Sequence, residues 1–202
     1  MTDWAQVYQR LKARIEAFGV HVLARPLGFE TTGIFDGLSI TTNTSYDLET
    51  RCHNIAHSLG HIAQWSLDYP AQQRLYDDLH AAQANRAADT AALERALVRF
   101  RAYEEEASQY ATWLLIESGC ADALPAFTNF ARADIEAIVA FHRDGIAPVW
   151  HEFFERWNRE TASGARRVLP FDPKPVTPFT PRPITACHRL PESLPAARWA
   201  VG

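Results

Sequence analysis

The stretch CHNIAHSLGHIAQW, residues 52–65, carries three histidines at a spacing that suits a metal ion. His57 and His61 stand four residues apart, so on a helix they lie one turn apart and both imidazoles can reach one ion. His53 stands four residues before His57, whereas His53 and His61 are too far apart along one helix to share an ion. Spacing therefore leaves two histidine pairs open. A bare pair is also a weak signal, because many such pairs are simply exposed helix residues.

A third ligand is predicted by the periodicity of LVRFRAYEEEASQYATWLL, residues 97–115. On a helix Glu104 falls within the apolar stripe, whereas Glu105 and Glu106 point away from it toward solvent. A buried carboxylate is costly unless it meets a cation, a hydrogen-bond donor or a metal. Zinc sites commonly include a carboxylate beside their histidines. Glu104 is therefore the candidate third ligand, and a salt bridge from Glu104 to an arginine is the alternative.

The elements that would position these residues are predicted from hydrophobic periodicity. Helical patterns cover residues 3–18, 47–67, 71–84, 88–117, 122–141 and 145–160. Between them, VHVLARPL and GLSITTNT are typical of short strands, with turn chemistry at Asp36-Gly37. The sequence therefore predicts an α+β fold that is mostly helical, with a small β-hairpin or sheet near the N-terminus.

The histidine helix is predicted to have two distinct faces. Ile55, Leu59 and Ile62 recur on one side at helical spacing, and the histidines fall on the other. This pattern indicates one face for the core and a separate histidine face. Trp65 lies at the rim of the histidine face, where it is a candidate to line a groove.

The C-terminal segment, residues 163–202, differs in composition from the predicted domain of residues 1–162. It holds eight of the chain's 12 prolines, which exclude helix and favour an extended path. Its apolar residues, among them Phe171, Phe179 and Trp199, are too many for a solvated linker. We expect residues 168–199 to form a strap packed on the domain, with a flexible tail as the alternative.

Composition narrows the classes of function. The formal net charge of -4 gives no reason to expect nucleic acid as a partner. No apolar run is long enough for a membrane span, and the N-terminal stretch lacks the apolar core of a secretory signal. Three cysteines without CxxC spacing do not indicate a disulfide framework. The expected location is the cytoplasm, with no membrane association.

Two stretches together resemble the ImmA/IrrE family of zinc metallopeptidases. ETRCHNIAHSLGHIAQW is similar to the family's first metal-binding helix, and EEEASQYATWLL is similar to its second. The resemblance covers about residues 20–117, and its specificity lies in the order of hairpin, AHxLGH and ExxA. It implies a zincin-like domain with a helical extension, in which His57, His61 and Glu104 bind zinc.

The resemblance also assigns roles to neighbouring residues. Ser108 replaces the asparagine or aspartate usual beside the third ligand, and it is expected to line the pocket. His53 falls where the family usually has an apolar residue, so it is expected to line the pocket or support the fold and not to bind metal.

Ser58 is the main departure from the family. It occupies the position of the glutamate that moves protons during peptide hydrolysis, and a serine hydroxyl is too weak a base for that work. We therefore expect a degenerate, metal-binding relative that acts as a binding or regulatory module on a protein or peptide partner. The alternatives are an active peptidase with an unusual base, for which Glu49 and Glu105 are the nearby carboxylates, and a metal-free helical scaffold.

Overall fold

The computed structural model describes residues 2–27, 31–146 and 150–184. Within these residues the chain forms six α-helices, one three-stranded sheet and a short 3-10 helix at Ala121–Ala123. The elements are α1 (Trp4–Glu16), β1 (His21–Arg25), β2 (Gly33–Phe35), β3 (Ser39–Asn43), α2 (Leu48–Leu67), α3 (Tyr69–Ala84), α4 (Thr90–Glu117), α5 (Leu124–Asp144) and α6 (Trp150–Ala162). The predicted α+β class, mostly helical with a small sheet near the N-terminus, is confirmed.

Aspartates define the starts of the first four helices. Asp3, Asp47, Asp68 and Asp89 each accept a hydrogen bond from a backbone N–H of the first turn. This contact satisfies a donor that has no partner inside the helix. None of the helices in the described ranges is long and apolar enough to cross a membrane.

The sheet lies beside the start of α2 and has the order β1-β3-β2. β1 pairs with β3 in parallel, and β2 pairs with β3 as an antiparallel hairpin. The side chain of Asp36 closes the hairpin turn by accepting hydrogen bonds from the backbone N–H groups of Leu38 and Ser39, at 2.9 and 2.7 Å. β2 was not predicted as a strand, because three residues are too few to display a period of two.

The helix that carries the histidines, α2, forms the centre of the domain. From Cys52 to Ser66 every residue except Asn54 is buried. The histidine side of the helix is buried as well as the apolar side, because α4 covers it at His57 and His61. α2 and α4 cross at Gly60, where a Cβ atom would lie 2.8 Å from the Cα of Ala107. Glycine therefore permits the close approach that brings the histidines to α4.

The described part of the proline-rich segment, as far as residue 184, forms no helix or strand and packs in part on the domain. Phe171, Val176 and Ile184 are buried, and the ring of Phe179 stacks on that of Phe18 with 5.5 Å between centroids. Residues 185–202, including Trp199, lie outside the described residues. The packing of the whole stretch 168–199 therefore stays a prediction, and we use the name strap below for residues 168–184.

We expect the strap to stabilise the domain. Burying a large apolar side chain stabilises a protein by about 1.5–3 kcal/mol, and the strap buries three of them at the cost of ordering its backbone. Limited proteolysis should spare residues 168–184, and a chain ending at residue 167 should melt several degrees lower than the full chain. Rapid cleavage near residue 165 that leaves a product of unchanged Tm would contradict this.

Candidate metal centre

Three side chains from α2 and α4 meet in the interior. His57 Nε2 lies 2.9 Å from His61 Nε2 and 3.1 Å from Glu104 Oε2, and His61 Nε2 lies 3.2 Å from the same oxygen. An ion held tetrahedrally with bonds of about 2.0–2.1 Å would separate its ligand atoms by about 3.3 Å. All three residues are buried. The group could hold a metal ion.

The proton of His61 is held away from the point where the three side chains meet. Both hydrogens of the Gln64 amide nitrogen have acceptors, the Tyr103 carbonyl oxygen at 2.9 Å and Glu106 Oε2 at 2.7 Å. The Gln64 carbonyl oxygen therefore faces His61 Nδ1, at 3.0 Å, and accepts a hydrogen bond from it. In the neutral ring, His61 Nε2 is left with a lone pair.

The proton of His57 is fixed in the same way by Ser108. The Ser108 hydroxyl donates its single hydrogen to the backbone carbonyl of Glu104 at 3.0 Å. Its oxygen can then only accept from His57 Nδ1, which lies 3.3 Å away. Both Nε2 atoms and the Glu104 oxygen thus direct lone pairs at one another, an arrangement that repels unless a cation lies among them.

Glu104 carries the negative charge of the group. Burial alone would raise the pKa of this carboxyl group, but the charge of His61 and His57 when they are protonated, and the hydrogen bonds they then donate, outweigh that effect and hold the pKa well below its usual range. Without a metal ion, protons on these rings can thus supply the positive charge that the meeting lone pairs require. Glu104 pairs with these two histidines and with no arginine in the described part of the chain. The alternative of an arginine salt bridge is therefore wrong.

Aromatic rings fix the position of His61. Its imidazole lies between the ring of Phe35 from β2 and the ring of Tyr103 from α4, with centroids at 5.5 and 4.7 Å. The Tyr103 hydroxyl accepts a hydrogen bond from the Trp65 indole N–H at 2.9 Å. Trp65 is fully buried behind Tyr103, so it packs in the core and lines no exposed groove.

His53 lies outside the group of ligand atoms. Its ring packs against those of Trp4, Phe127 and Phe130, with centroids 5.0–5.9 Å away. Burial lowers its pKa to about 4, so the imidazole is neutral near pH 7. Of the two pairs that spacing left open, the structure brings together His57 and His61.

The carboxylates next to Glu104 in sequence do not reach the group. Glu105 pairs with Arg132 of α5 at 2.9 Å, and Glu106 contacts Lys174 of the strap. Both glutamates were predicted to face solvent, yet they are half-buried, because α5 and the strap cover this side of α4. Glu49 lies in the first turn of α2, two turns before His57.

Asp134 on α5 is a residue near the site that was not predicted. Phe130 of α5 contacts His53 of α2, and one turn further along each helix stand Asp134 and His57. Burial raises the Asp134 pKa to about 7, and the nearby charges of His57 and Glu104 act on it in opposite directions. Asp134 falls within the apolar stripe of Phe127, Phe130 and Ile138, so the periodicity that identified Glu104 also indicates it.

Comparison with protein-family models, with curated proteins and with solved structures finds no match. The resemblance to the ImmA/IrrE peptidases therefore stays a hypothesis that depends on the residues themselves. The geometry defines a class of site, a buried His-His-Glu group suited to a metal ion.

Proposed function

We propose that this protein is a zinc-binding relative of the ImmA/IrrE metallopeptidases that serves as a binding or regulatory module, with little or no proteolysis. The observation that best supports the proposal is the convergence of two histidine Nε2 atoms and one carboxylate oxygen within 2.9–3.2 Å. Two imidazoles and a carboxylate are a ligand set typical of zinc. Three protein ligands are also the usual number where water or substrate takes the fourth position.

Ser58 is the reason to propose binding in place of hydrolysis. A zinc ion in this group would polarise a carbonyl or acidify a water molecule. A peptidase also needs a residue that takes a proton and passes it to the leaving amine, and Ser58 stands where that residue is expected. Losing general-base catalysis costs about 10²- to 10⁴-fold in rate. A site that binds without turning over suits a protein or peptide partner.

Asp134 favours a second candidate function, that of an active peptidase with an unusual base. Burial raises the pKa of this carboxyl group to about 7 without a metal ion, and a bound cation would favour its ionised form, which can accept a proton as a general base must. Asp134 interacts electrostatically with both His57 and Glu104. Glu105 forms an ion pair with Arg132, and Glu49 lies two turns before His57. Asp134 is therefore a better candidate for the general base than either glutamate.

Metal analysis of the purified full chain tests the proposal. We expect about one zinc ion per chain, measured by elemental analysis and by titration against a chromophoric chelator. His57→Ala, His61→Ala and Glu104→Ala should each remove most of the binding. His53→Ala is the matched control, because it removes a histidine from the same helix one turn away and should leave the metal content unchanged.

Two results would overturn the proposal. Protein purified without chelator that contains no metal and binds none in titration would favour the third possibility, a metal-free helical scaffold. Equal loss of metal from the His53 variant and the three ligand variants would show that binding depends on general integrity of the fold and not on this group.

A further inference from the structure

The strap is connected to the candidate metal ligand His61 by a chain of polar contacts. Its Lys174 ammonium contacts Glu106 Oε1, while Glu106 Oε2 accepts a hydrogen bond from Gln64 Nε2 at 2.7 Å. The Gln64 carbonyl oxygen in turn accepts from His61 Nδ1 at 3.0 Å. The strap therefore reaches the metal group through two intervening side chains.

Lys174 is well placed to hold Glu106. Its backbone N–H donates to the carbonyl oxygen of Gln109 at 3.1 Å, which fixes this part of the strap on α4. Its ammonium group lies 5.0 Å from the centre of the Tyr110 ring. The ion pair with Glu106 raises the Lys174 pKa, so the lysine is charged at neutral pH. Lys174 thus keeps the Glu106 carboxylate turned toward α2. Without the ion pair, we expect this carboxylate to turn toward water instead.

The orientation of the Gln64 amide decides which His61 nitrogen carries the proton. In the observed orientation the amide oxygen faces His61, so Nδ1 is protonated and Nε2 has a lone pair for a metal. A flipped amide would present its NH₂ group to His61 Nδ1. The ring would then have to carry its proton on Nε2, the atom that faces Glu104 and His57. Such a ring cannot bind a metal through that atom.

We propose that Lys174 is a positioning residue for the metal centre, and that through Glu106 and Gln64 the strap keeps His61 in its metal-binding tautomer. The inference rests on the proposed function and assigns a role to a segment that supplies no metal ligand. Outer hydrogen-bond partners of ligating histidines commonly orient the ring in this way. Because binding effects are reciprocal, a bound metal should also hold the strap more firmly on the domain.

The test compares zinc affinity in full-length variants, measured by competition with a chromophoric chelator at fixed pH. Removing a direct partner of a metal ligand commonly costs about 10- to 100-fold in affinity, so we expect that loss for Gln64→Leu and about 3- to 10-fold for Lys174→Met. Glu106→Gln should resemble Lys174→Met, and combining the two should cost little more than either alone. Lys174→Arg should restore most of the affinity.

Arg132→Met is the matched control. Arg132 also holds the strap, because its Nε donates to the Leu169 carbonyl at 3.1 Å and its guanidinium lies 3.9 Å from the centre of the Phe171 ring. It pairs with Glu105 and takes no part in the contacts to Gln64. We expect the zinc affinity of the Arg132→Met variant to be near that of the wild type. Equal losses of zinc affinity in the Lys174→Met and Arg132→Met variants would show that Lys174 only holds the strap in place, and would overturn the proposal.

Two further readouts separate this proposal from the proposed function. Cobalt-substituted protein should show a changed visible spectrum in Lys174→Met, which a general loss of stability would not produce. Zinc should slow proteolysis of the strap in the wild type and have less effect in Lys174→Met. Wild-type protein that binds zinc while Lys174→Met keeps full affinity and an unchanged spectrum would overturn the positioning role alone. Wild-type protein that binds no zinc would overturn both.

Discussion

Replacing Ser58 with glutamate should raise hydrolysis of a generic peptide by about 100-fold or more over the native protein. Ser58 stands next to His57 on α2, where the resemblance places the proton-transferring carboxylate. The rest of the centre is in place, since ligand atoms of His57, His61 and Glu104 meet within 3.2 Å. The Nδ1 atoms of the two histidines also have hydrogen-bond partners, Ser108 and Gln64. The measurement is the steady-state rate on a fluorogenic peptide, with and without a chelator that should abolish the gain.

Ser58→Gln is the matched control for this gain. Glutamine fills nearly the same volume as glutamate but cannot accept a proton, so it should not raise the rate. Because Ser58 is 3% exposed, the larger side chain also needs space, and the melting temperature of both variants shows whether the fold accepts it. The rates should be compared in chains with and without residues 168–202, because a covering segment would hide a restored site.

A native protein that already cleaves peptide, with activity lost in His57→Ala, would contradict the proposal that the protein has little or no proteolytic activity. Asp134→Asn then identifies the base, since it removes the carboxylate near His57 and Glu104 with little change in shape. Loss of activity in this variant, with retention in Glu49→Gln and Glu105→Gln, would assign the proton transfer to Asp134. Native protein without activity, together with a gain in Ser58→Glu, would support the loss of a single catalytic group.

The long elements and the candidate metal ligands could be predicted from sequence because each has a period. α4 repeats its apolar residues at helical spacing over 28 residues, and Glu104 stands out as a carboxylate within that stripe. A spacing of four on one helix indicates two possible histidine pairs, and the resemblance selects His57 and His61. These features are local, so they need no knowledge of which surfaces meet.

The roles of Gln64, Glu106 and Lys174 could not be predicted, because they depend on contacts between distant segments. Gln64 matters through Glu106, which is 42 positions away, and Glu106 through Lys174, which is 68 positions away. Nothing in the spacing of these residues links them. The burial of Trp65 likewise follows from Tyr103 and Tyr76 on other helices, whereas a wheel of α2 alone places it at a rim. Tertiary packing, and not the local pattern, decides such positions.

Gly60→Ala should destabilise the protein, although it adds only one methyl group. The new Cβ would lie 2.8 Å from the Cα of Ala107 and closer still to its carbonyl oxygen, which is backbone and cannot rotate away. α2 and α4 must then move apart. Alanine favours helix over glycine by about 1 kcal/mol, but overpacking a tight contact commonly costs about 1–3 kcal/mol or more, so the net effect is destabilising.

The same displacement should open the metal group, because Gly60 adjoins His61 and Ala107 lies one turn from Glu104. Separations of 2.9–3.2 Å among the three ligand atoms leave little room for a shift of an ångström between the helices. We expect Gly60→Ala to lower zinc affinity by at least about 10-fold and Gly60→Val to abolish it, by comparison with the 10- to 100-fold cost of losing a supporting contact. The measurements are thermal unfolding of the metal-free protein and zinc competition on the folded fraction. A Gly60→Ala protein that melts as high as the wild type and binds zinc equally well would show that α2 and α4 do not depend on this close crossing.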